Sequence, residues 1–437
     1  MFTHLSLLYK IFEQHPVVCT DTRDIKKGSL FFALKGASFN GNTFAAKALE
    51  SGCSYAVIDE EKYKKDDRIL LVPDVLEILQ ALANYHRRML NTPVIGITGS
   101  NGKTTTKELI AAVLSKKYKI LATKGNLNNH IGVPLTLLSL TKQHEMAVIE
   151  MGANHIGEIA DLCIIAEPNY GIITNIGRAH LEGFGSVEGV VKAKTELYQF
   201  IKKTNGILFV NAGNELLMKH AAEIKNILYG ELDDIDTDGQ LVDADPFLKI
   251  RWKNKNEAVP LIRKEIVATK LIGKYNFENI IASACIGNHF NVEEKLIKEA
   301  LENYSPDNSR SQVIVKGSNK IILDAYNANP TSMKAAIENF AEIKWPNKIL
   351  IVGDMLELGT ESEQEHQVIV ELIKQKGFMH VILVGKLFSS VINSINATCF
   401  DTSDKVSEWF KANPLKNSSV LIKGSRGTKL EKILVVL

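Results

Sequence analysis

Residues 94–106 read Val-Ile-Gly-Ile-Thr-Gly-Ser-Asn-Gly-Lys-Thr-Thr-Thr. An apolar strand, Val94 to Thr98, runs into a glycine-bearing loop, and a lysine with three threonines opens a helical stretch over Thr104–Tyr118. This is how a protein holds a polyphosphate. Backbone N–H groups of a tight loop point inward, and the helix N-terminus adds partial positive charge. Lys103 can then reach the β- and γ-phosphates, and the Thr104 hydroxyl can bind Mg²⁺. An ordinary strand–turn–helix is the bland alternative. The spacing also departs from the common phosphate loop, because Gly99 and Gly102 bracket only two residues.

Composition narrows the class. A chain of 437 residues is long enough for two to four domains. Apolar residues at 45% and charged residues at 23% describe an ordinary globular protein. A net charge of +2 offers no strong field for nucleic acid or an anionic membrane. No apolar run approaches the roughly 20 residues of a membrane-spanning helix. The first ten residues are too polar for a secretory signal. The five cysteines, Cys19, Cys53, Cys163, Cys285 and Cys399, lie far apart in sequence with no C-x-x-C. That pattern predicts reduced thiols in a cytoplasm and no zinc site.

Strand and helix patterns alternate almost throughout, which predicts an α/β protein of helix-covered parallel sheets. Three regions separate, at 1–91, 92–303 and 304–437. The first carries short strands at Ser29–Ala33 and Tyr55–Ile58, then a connecting helix over 74–90. The second holds the phosphate loop, strands near 145–150, 170–176 and 206–211, and a long helix near 187–203. A polar stretch from Gly230 to Lys255 reads as loop-rich or as a small antiparallel section. The third shows strands at 320–326, 348–353, 380–385 and 419–423.

Behind the phosphate loop, Ala147-Val-Ile-Glu-Met-Gly152 is an apolar strand ending in a carboxylate. Strand ends in α/β sheets face the ligand crevice. Glu150 is therefore placed to share a Mg²⁺ with Thr104. A further strand leads into Asn175-Ile-Gly-Arg-Ala-His-Leu-Glu-Gly-Phe-Gly185, with His180 in a glycine-rich loop. A helix with Lys192-Ala-Lys194-Thr-Glu196 follows. Taken alone, His180 is a structural hydrogen-bonder and both lysines are solvated.

The strings change that reading. T-G-S-N-G-K-T-T-T (98–106) resembles the ATP-dependent amide ligases of the Mur and folylpolyglutamate synthase superfamily. N-L-N-N-H-I-G-V-P-L-T-L-L (126–138), I-E-M-G-A (149–153), N-I-G-R-A-H-L-E-G-F-G-S (175–186) and K-A-K-T-E (192–196) follow in family order. So do G-K-Y-N-F-E-N-I (273–280), D-A-Y-N-A-N-P-T-S-M (324–333), G-D-M-L-E-L-G (353–359) and K-G-S-R-G (423–427). Together they resemble the Mur ligases along essentially the whole chain. The third-domain strings are similar to the branch that adds a dipeptide. Asp21-Thr-Arg23, Gly28–Gly36 and Gly41-Asn-Thr-Phe44 resemble the UDP-binding domain of these ligases, which folylpolyglutamate synthases lack.

The resemblance implies a fold and a chemistry. An N-terminal UDP-binding α/β domain, a central parallel-sheet P-loop ATPase domain and a C-terminal Rossmann-like domain are expected. The ATP would lie on Gly99, Ser100, Asn101, Gly102, Lys103, Thr104 and Thr105. Asn276 and Asn279 match the adenine side, Arg310 an arginine reaching the phosphates, and Asp324 a nucleotide-contacting aspartate. Two Mg²⁺ ions are implied, one at Thr104 and Glu150 and a second near His180 and Lys194. Lys194 would be carbamylated by CO₂, with Lys192 its neighbour in the string. Lys103, Glu150, His180 and Lys194 form the expected catalytic set. Thr22, Arg23, Lys35, Asn42, Asn128, Asn129, Asn327 and Asn329 are the expected substrate contacts. For Asn128, Asn129, Asn327 and Asn329 a turn-stabilising role is the alternative. The implied substrates are UDP-N-acetylmuramoyl-tripeptide and D-alanyl-D-alanine, with no nucleic acid and no membrane span, in a cytoplasmic monomer. Two rivals remain at this stage: a ligase adding a single amino acid, and a phosphate-loop ATPase that moves a partner.

Overall fold

All five residues of Val94–Thr98 are buried. The computed structural model describes residues 2–437 apart from Asn256, Met379, Asn393 and Ser394, and it places this strand deep inside a nine-stranded sheet. Side chains of a strand alternate between the two faces of its sheet. Ile95 and Ile97 accordingly share a core with Leu109, Val113 and Ile281, while Val94 joins Leu137, Leu162 and Leu197 on the other face. A parallel sheet covered on both faces needs such continuously apolar strands.

The sheet runs in the order Val267–Ile272, Phe247–Asn254, Thr237–Asp243, Asn226–Gly230, Ile207–Asn211, Tyr170–Ile173, Val94–Thr98, Met146–Glu150 and Ile120–Ala122. Pairing is parallel from Ile120–Ala122 across to Thr237–Asp243, and antiparallel beyond it. The polar stretch 230–255 thus supplies an antiparallel pair, and that pair extends the central sheet. The long helix lies at Val187–Lys203, with the Ser186 side chain accepting the Gly189 N–H at its start.

The first region has four parallel strands, Val18–Cys19, Leu30–Phe32, Tyr55–Ile58 and Ile69–Leu71. Helix Val75–Leu90 leads out of it. Asp74 caps its start by accepting the Glu77 N–H, and Asn91 ends it at φ +50°. Arg87 and Arg88 sit in its last turn, where the helix dipole favours cations. The third region has six strands in the order Gln312–Lys316, Asn319–Asp324, Ser419–Lys423, Lys348–Gly353, His380–Val384 and Thr398–Phe400. Only the first pairing is antiparallel. All five cysteines are free thiols. Among the described residues no helix is long and apolar enough to cross a membrane.

Candidate active site

The loop after Val94–Thr98 is shaped by two glycines and tied down by its neighbour. Gly99 has φ +142°, and a Cβ there would lie 2.0 Å from Thr174 Oγ1. Gly102 has φ +80° and lies against the Asn279 amide. Thr174 Oγ1 and Asn175 Nδ2 donate to the Asn101 carbonyl, and the Asn101 N–H donates to Asn175 Oδ1. The Gly177 N–H donates to Ser100 Oγ at 2.9 Å, and that hydroxyl donates to the Gly177 carbonyl at 3.1 Å. These bonds hold the loop in one shape.

Lys103 opens the helix Lys103–Leu114 and donates its ammonium to the Gly99 carbonyl at 2.7 Å. Burial pushes its pKa down, the Glu150 charge pushes it up, and Arg310 pushes it down again. Thr104 Oγ1 donates to Glu150 Oε2 at 2.9 Å, so the two expected ligands of the first Mg²⁺ are adjacent. Glu150 itself is fixed by Asn128 Nδ2, 2.8 Å from Oε1, and by Thr123 Oγ1, which accepts its N–H. The buried Lys107 ammonium lies 3.8 Å from Glu150 Oε2. A hydroxyl and a carboxylate fit Mg²⁺, which takes few protein oxygens and keeps the rest for water and phosphate. Among the described residues no cluster of three His, Cys, Asp or Glu side chains is arranged for a metal.

His180 sits at φ +52° and lines the same cavity as Thr104 and Glu150. Its Nδ1 lies 2.5 Å from Glu357 Oε2, and hydrogen bonding to His180 holds the Glu357 carboxyl below its ordinary pKa. Lys194 is 1% exposed, whereas Lys192 is exposed on the same helix. The Lys194 amine has one long hydrogen bond, to the Ala153 carbonyl at 3.4 Å, and lies 5.1 Å from the Phe184 ring centre. Burial, reinforced by the Lys103 charge, pushes its pKa down to about 7. Glu196 completes the setting by accepting the Gly157 and Ala160 N–H groups.

The third domain forms the opposite wall of a cavity of about 890 Å³. Arg310 stacks on Tyr326, its Cζ 3.5 Å from the ring centre. Asp324 accepts from the buried Lys423 ammonium at 2.6 Å and from the Ser311 N–H at 3.2 Å. Asn329 caps helix Pro330–Glu342 in a capping box with Ser332, and its Nδ2 reaches across to Asn101 Oδ1 at 2.8 Å. The Asn327 carboxamide accepts the Ala328 N–H, a turn contact. Asn129 likewise accepts the Ile131 and Gly132 N–H groups. Asn276 and Asn279 are bonded to each other, and Asn279 accepts from Thr106.

The cavity thus gathers Ser100 to Thr105, Asn128, Asn129, Glu150, His180, Asn276, Asn279, Arg310, Asp324, Asn327 and Asn329. Gly99 and Lys194 lie behind its lining, and the first-domain candidates lie outside it. There Arg23 pairs with Asp21 at 2.5 Å, and Lys35 with Asp59 at 3.1 Å. Asn42 is buried, with its amide bonded to Asn40 and Asp59, so it organises its own turn. Thr22 lies half-buried in the turn between Asp21 and Arg23. Sequence reasoning passed over Lys423 and Tyr326. Lys423 opens the string 423–427 at the end of an apolar strand, and Tyr326 stands inside the string 324–333; those were the signals available.

Comparison with known proteins agrees with this architecture. The model of the Mur ligase family catalytic domain matches residues 16–87, that of the Mur ligase middle domain 97–287, and that of the Mur ligase glutamate ligase domain 309–426. A Bacillus subtilis protein named UDP-N-acetylmuramoyl-tripeptide–D-alanyl-D-alanine ligase is 36% identical, over 95% of this chain and 92% of its own. The crystal structure of MurF from Acinetobacter baumannii superposes with a TM-score of 0.85 at 31% identity, over 96% of this chain and 92% of its own. MurF ligase from Thermotoga maritima in complex with ADP gives 0.84 at 27% identity, over 97% of both chains. The chain belongs to the Mur ligase family.

Proposed function

We propose that this chain joins D-alanyl-D-alanine to UDP-N-acetylmuramoyl-tripeptide at the expense of ATP, in the cytoplasm, as a step of peptidoglycan precursor synthesis. The observation that carries this is full-length similarity to a ligase of that name, at 36% identity over 95% of the chain. The strings 324–330 and 353–359 support the dipeptide as the incoming amine.

The chemistry asks for cations at one point. A carboxylate is a poor electrophile near neutral pH, so ATP must first phosphorylate it to an acyl phosphate. The dipeptide amine then adds to that carbonyl, and phosphate leaves. An anionic carboxylate has to approach an anionic γ-phosphate. Lys103 and Arg310 are the side-chain cations for that meeting. Thr104 and Glu150 would hold one Mg²⁺, and His180 with a modified Lys194 a second. When bound, the metal neutralises charge between the phosphate oxygens and the incoming carboxylate. Asn276 and Asn279 would support the adenine side, and Asp324 with Lys423 the nucleotide's outer face. Asn128 would act through Glu150. Thr22, Arg23 and Lys35 would receive the UDP moiety.

Carbamylation of Lys194 is the finer part of the reading. A neutral amine attacks CO₂, an N–C bond forms, and one proton leaves to solvent. The product carries about one negative charge and two oxygens, a ligand suited to Mg²⁺. Support comes from the burial of Lys194, its pKa of about 7 and its nearly unpartnered nitrogen.

The test is mass spectrometry of the product, with phosphate release measured in parallel. The enzyme is given ATP, Mg²⁺ and UDP-muramoyl tripeptides with either D-alanyl-D-alanine or single amino acids. A pentapeptide formed only with the dipeptide is expected. Equal turnover with a single amino acid would overturn the assignment, and phosphate release without ligation would point to an ATPase.

A further inference from the structure

Arg178 stands in the loop between strand Tyr170–Ile173 and the short helix Leu181–Phe184, and the chemistry above gives it no task. We propose that Arg178 is a positioning residue that latches the third domain onto the phosphate loop and couples nucleotide binding to closure of the cavity. Its catalytic consequence rests on the ligase reading, but its geometry does not.

The first observation is reach. Arg178 Nη2 lies 2.5 Å from Glu361 Oε2, and its Nε lies 3.0 Å from Glu365 Oε1. Both carboxylates belong to the third domain, at the start of helix Ser362–Lys376. The Arg178 N–H donates to Thr331 Oγ1 at 3.2 Å, in the first turn of the helix capped by Asn329.

The second is burial. The Glu361 side chain is 42% exposed, whereas that of Glu365 is only 8% exposed. An exposed ion pair contributes little. A buried carboxylate stripped of its cation is strongly unfavourable. Burial raises the Glu365 pKa and the Arg178 charge lowers it again, so the guanidinium offsets the cost of closing over that carboxylate, and Glu361 helps to orient it.

The third is connection. Gly177, the residue before Arg178, is bonded in both directions to Ser100 of the phosphate loop. A Cβ on Gly177 would lie 3.0 Å from Thr331 Oγ1, so this backbone is packed directly against the third domain. A rearrangement of the loop around a phosphate is transmitted to Arg178 through one residue. The apparent affinity of a ligand that needs the closed form falls in proportion to the closed fraction. Saturating ligand restores closure, so a lost latch raises KM and spares kcat.

The test uses the full chain and small-angle X-ray scattering, titrated with Mg²⁺ and a non-hydrolysable ATP analogue. Arg178→Ala should need about tenfold more analogue for half-compaction. It should raise KM for the dipeptide by a similar factor, with kcat within about twofold. Arg178→Lys keeps the charge but loses the fork, and should recover part of the shift. Glu365→Gln should blunt the effect of Arg178→Ala, because the buried carboxylate that needs the cation is then gone. An unchanged compaction midpoint in Arg178→Ala overturns the latch. So do additive effects in the pair, or a fall in kcat at unchanged KM. Arg178→Lys also guards against misfolding: a latch predicts partial recovery, and mere loss of structure predicts none. Scattering needs no ligation, so a chain that compacts normally yet joins no dipeptide would sink the ligase reading and leave the latch standing.

Discussion

Helix Val75–Leu90 and the loop 177–184 each join the central sheet to a neighbouring domain, and they do so with different chemistry. The helix shares one apolar core with the central domain: Leu79 and Leu82 lie in a cluster with Val133, Leu137 and Leu162. Its polar side chains reinforce the junction, with Arg87 donating to the Ala166 and Glu167 carbonyls. That loop and the phosphate loop beside it make a polar seam, through Arg178 to Glu361 and Glu365, His180 to Glu357, and Asn101 to Asn329, while Ile272 of the central sheet joins the third domain's apolar core. Parting an apolar core exposes surface at about 25 cal/mol per Å². Parting a polar seam exchanges protein partners for water at a net loss of about 0.5–1.5 kcal/mol per hydrogen bond. Beside the cavity, the third domain thus meets the centre through contacts that cost less to break than the first domain's shared core.

The largest expected effect breaks the fixed side. Leu79→Ala should lower stability by about 2–5 kcal/mol, and in urea the first and central regions should still unfold in one transition. A separate early transition for the first domain would show that the shared core does not bind the two together. Next, Lys103→Ala removes a cation from the phosphate-loop wall. It should lower kcat on the order of 10²–10³-fold while sparing nucleoside recognition. Turnover within about threefold of the parent would remove the phosphate loop from the chemistry.

Lys194→Arg should lower ligation on the order of 10²-fold, because it keeps a cation and cannot form the carbamate. Lys192→Arg, on the exposed face, should stay within about twofold. The amine is neutral above its pKa of about 7 and protonated below it. Carbamate formation needs the neutral form. Activity should therefore depend on added bicarbonate more steeply as pH falls through 7, and a flat response would remove the carbamate. The smallest effect sharpens the polar side. Asn329→Ala should lose about 1 kcal/mol of stability with its helix cap and raise KM roughly fivefold through the lost bond to Asn101. Asn329→Asp keeps the cap and loses the donor, so melting temperature should recover while KM stays raised.

Much of this was readable along the chain, wherever the signal was local. The helix at 187–203, the strand ends at Glu150 and Thr98, and the phosphate loop depend on neighbours a few residues away. What depended on pairing was not readable. Strand Gln312–Lys316 went unseen because it is a half-exposed edge with no clean alternation. The polar stretch 230–255 read as loop-rich or antiparallel; the structure has the antiparallel pair, and its attachment to the central sheet is a long-range fact. Lys423 meets Asp324 because strands Asn319–Asp324 and Ser419–Lys423 place those two residues in register. Nothing within either segment announces the other. The bond from the Asn128 amide to Glu150 is likewise a long-range contact that its own segment does not announce.

The bond between Asn101 and Asn329 also has a pharmacological consequence. The 890 Å³ cavity has one wall on each side of the polar seam. An inhibitor shaped to the central wall alone would tolerate opening and keep its affinity through the catalytic cycle. A compound that replaces the Asn101–Asn329 bond with contacts to both amides would act as a glue. It would hold the enzyme shut, and its residence time would follow the opening rate of the seam rather than its own contacts.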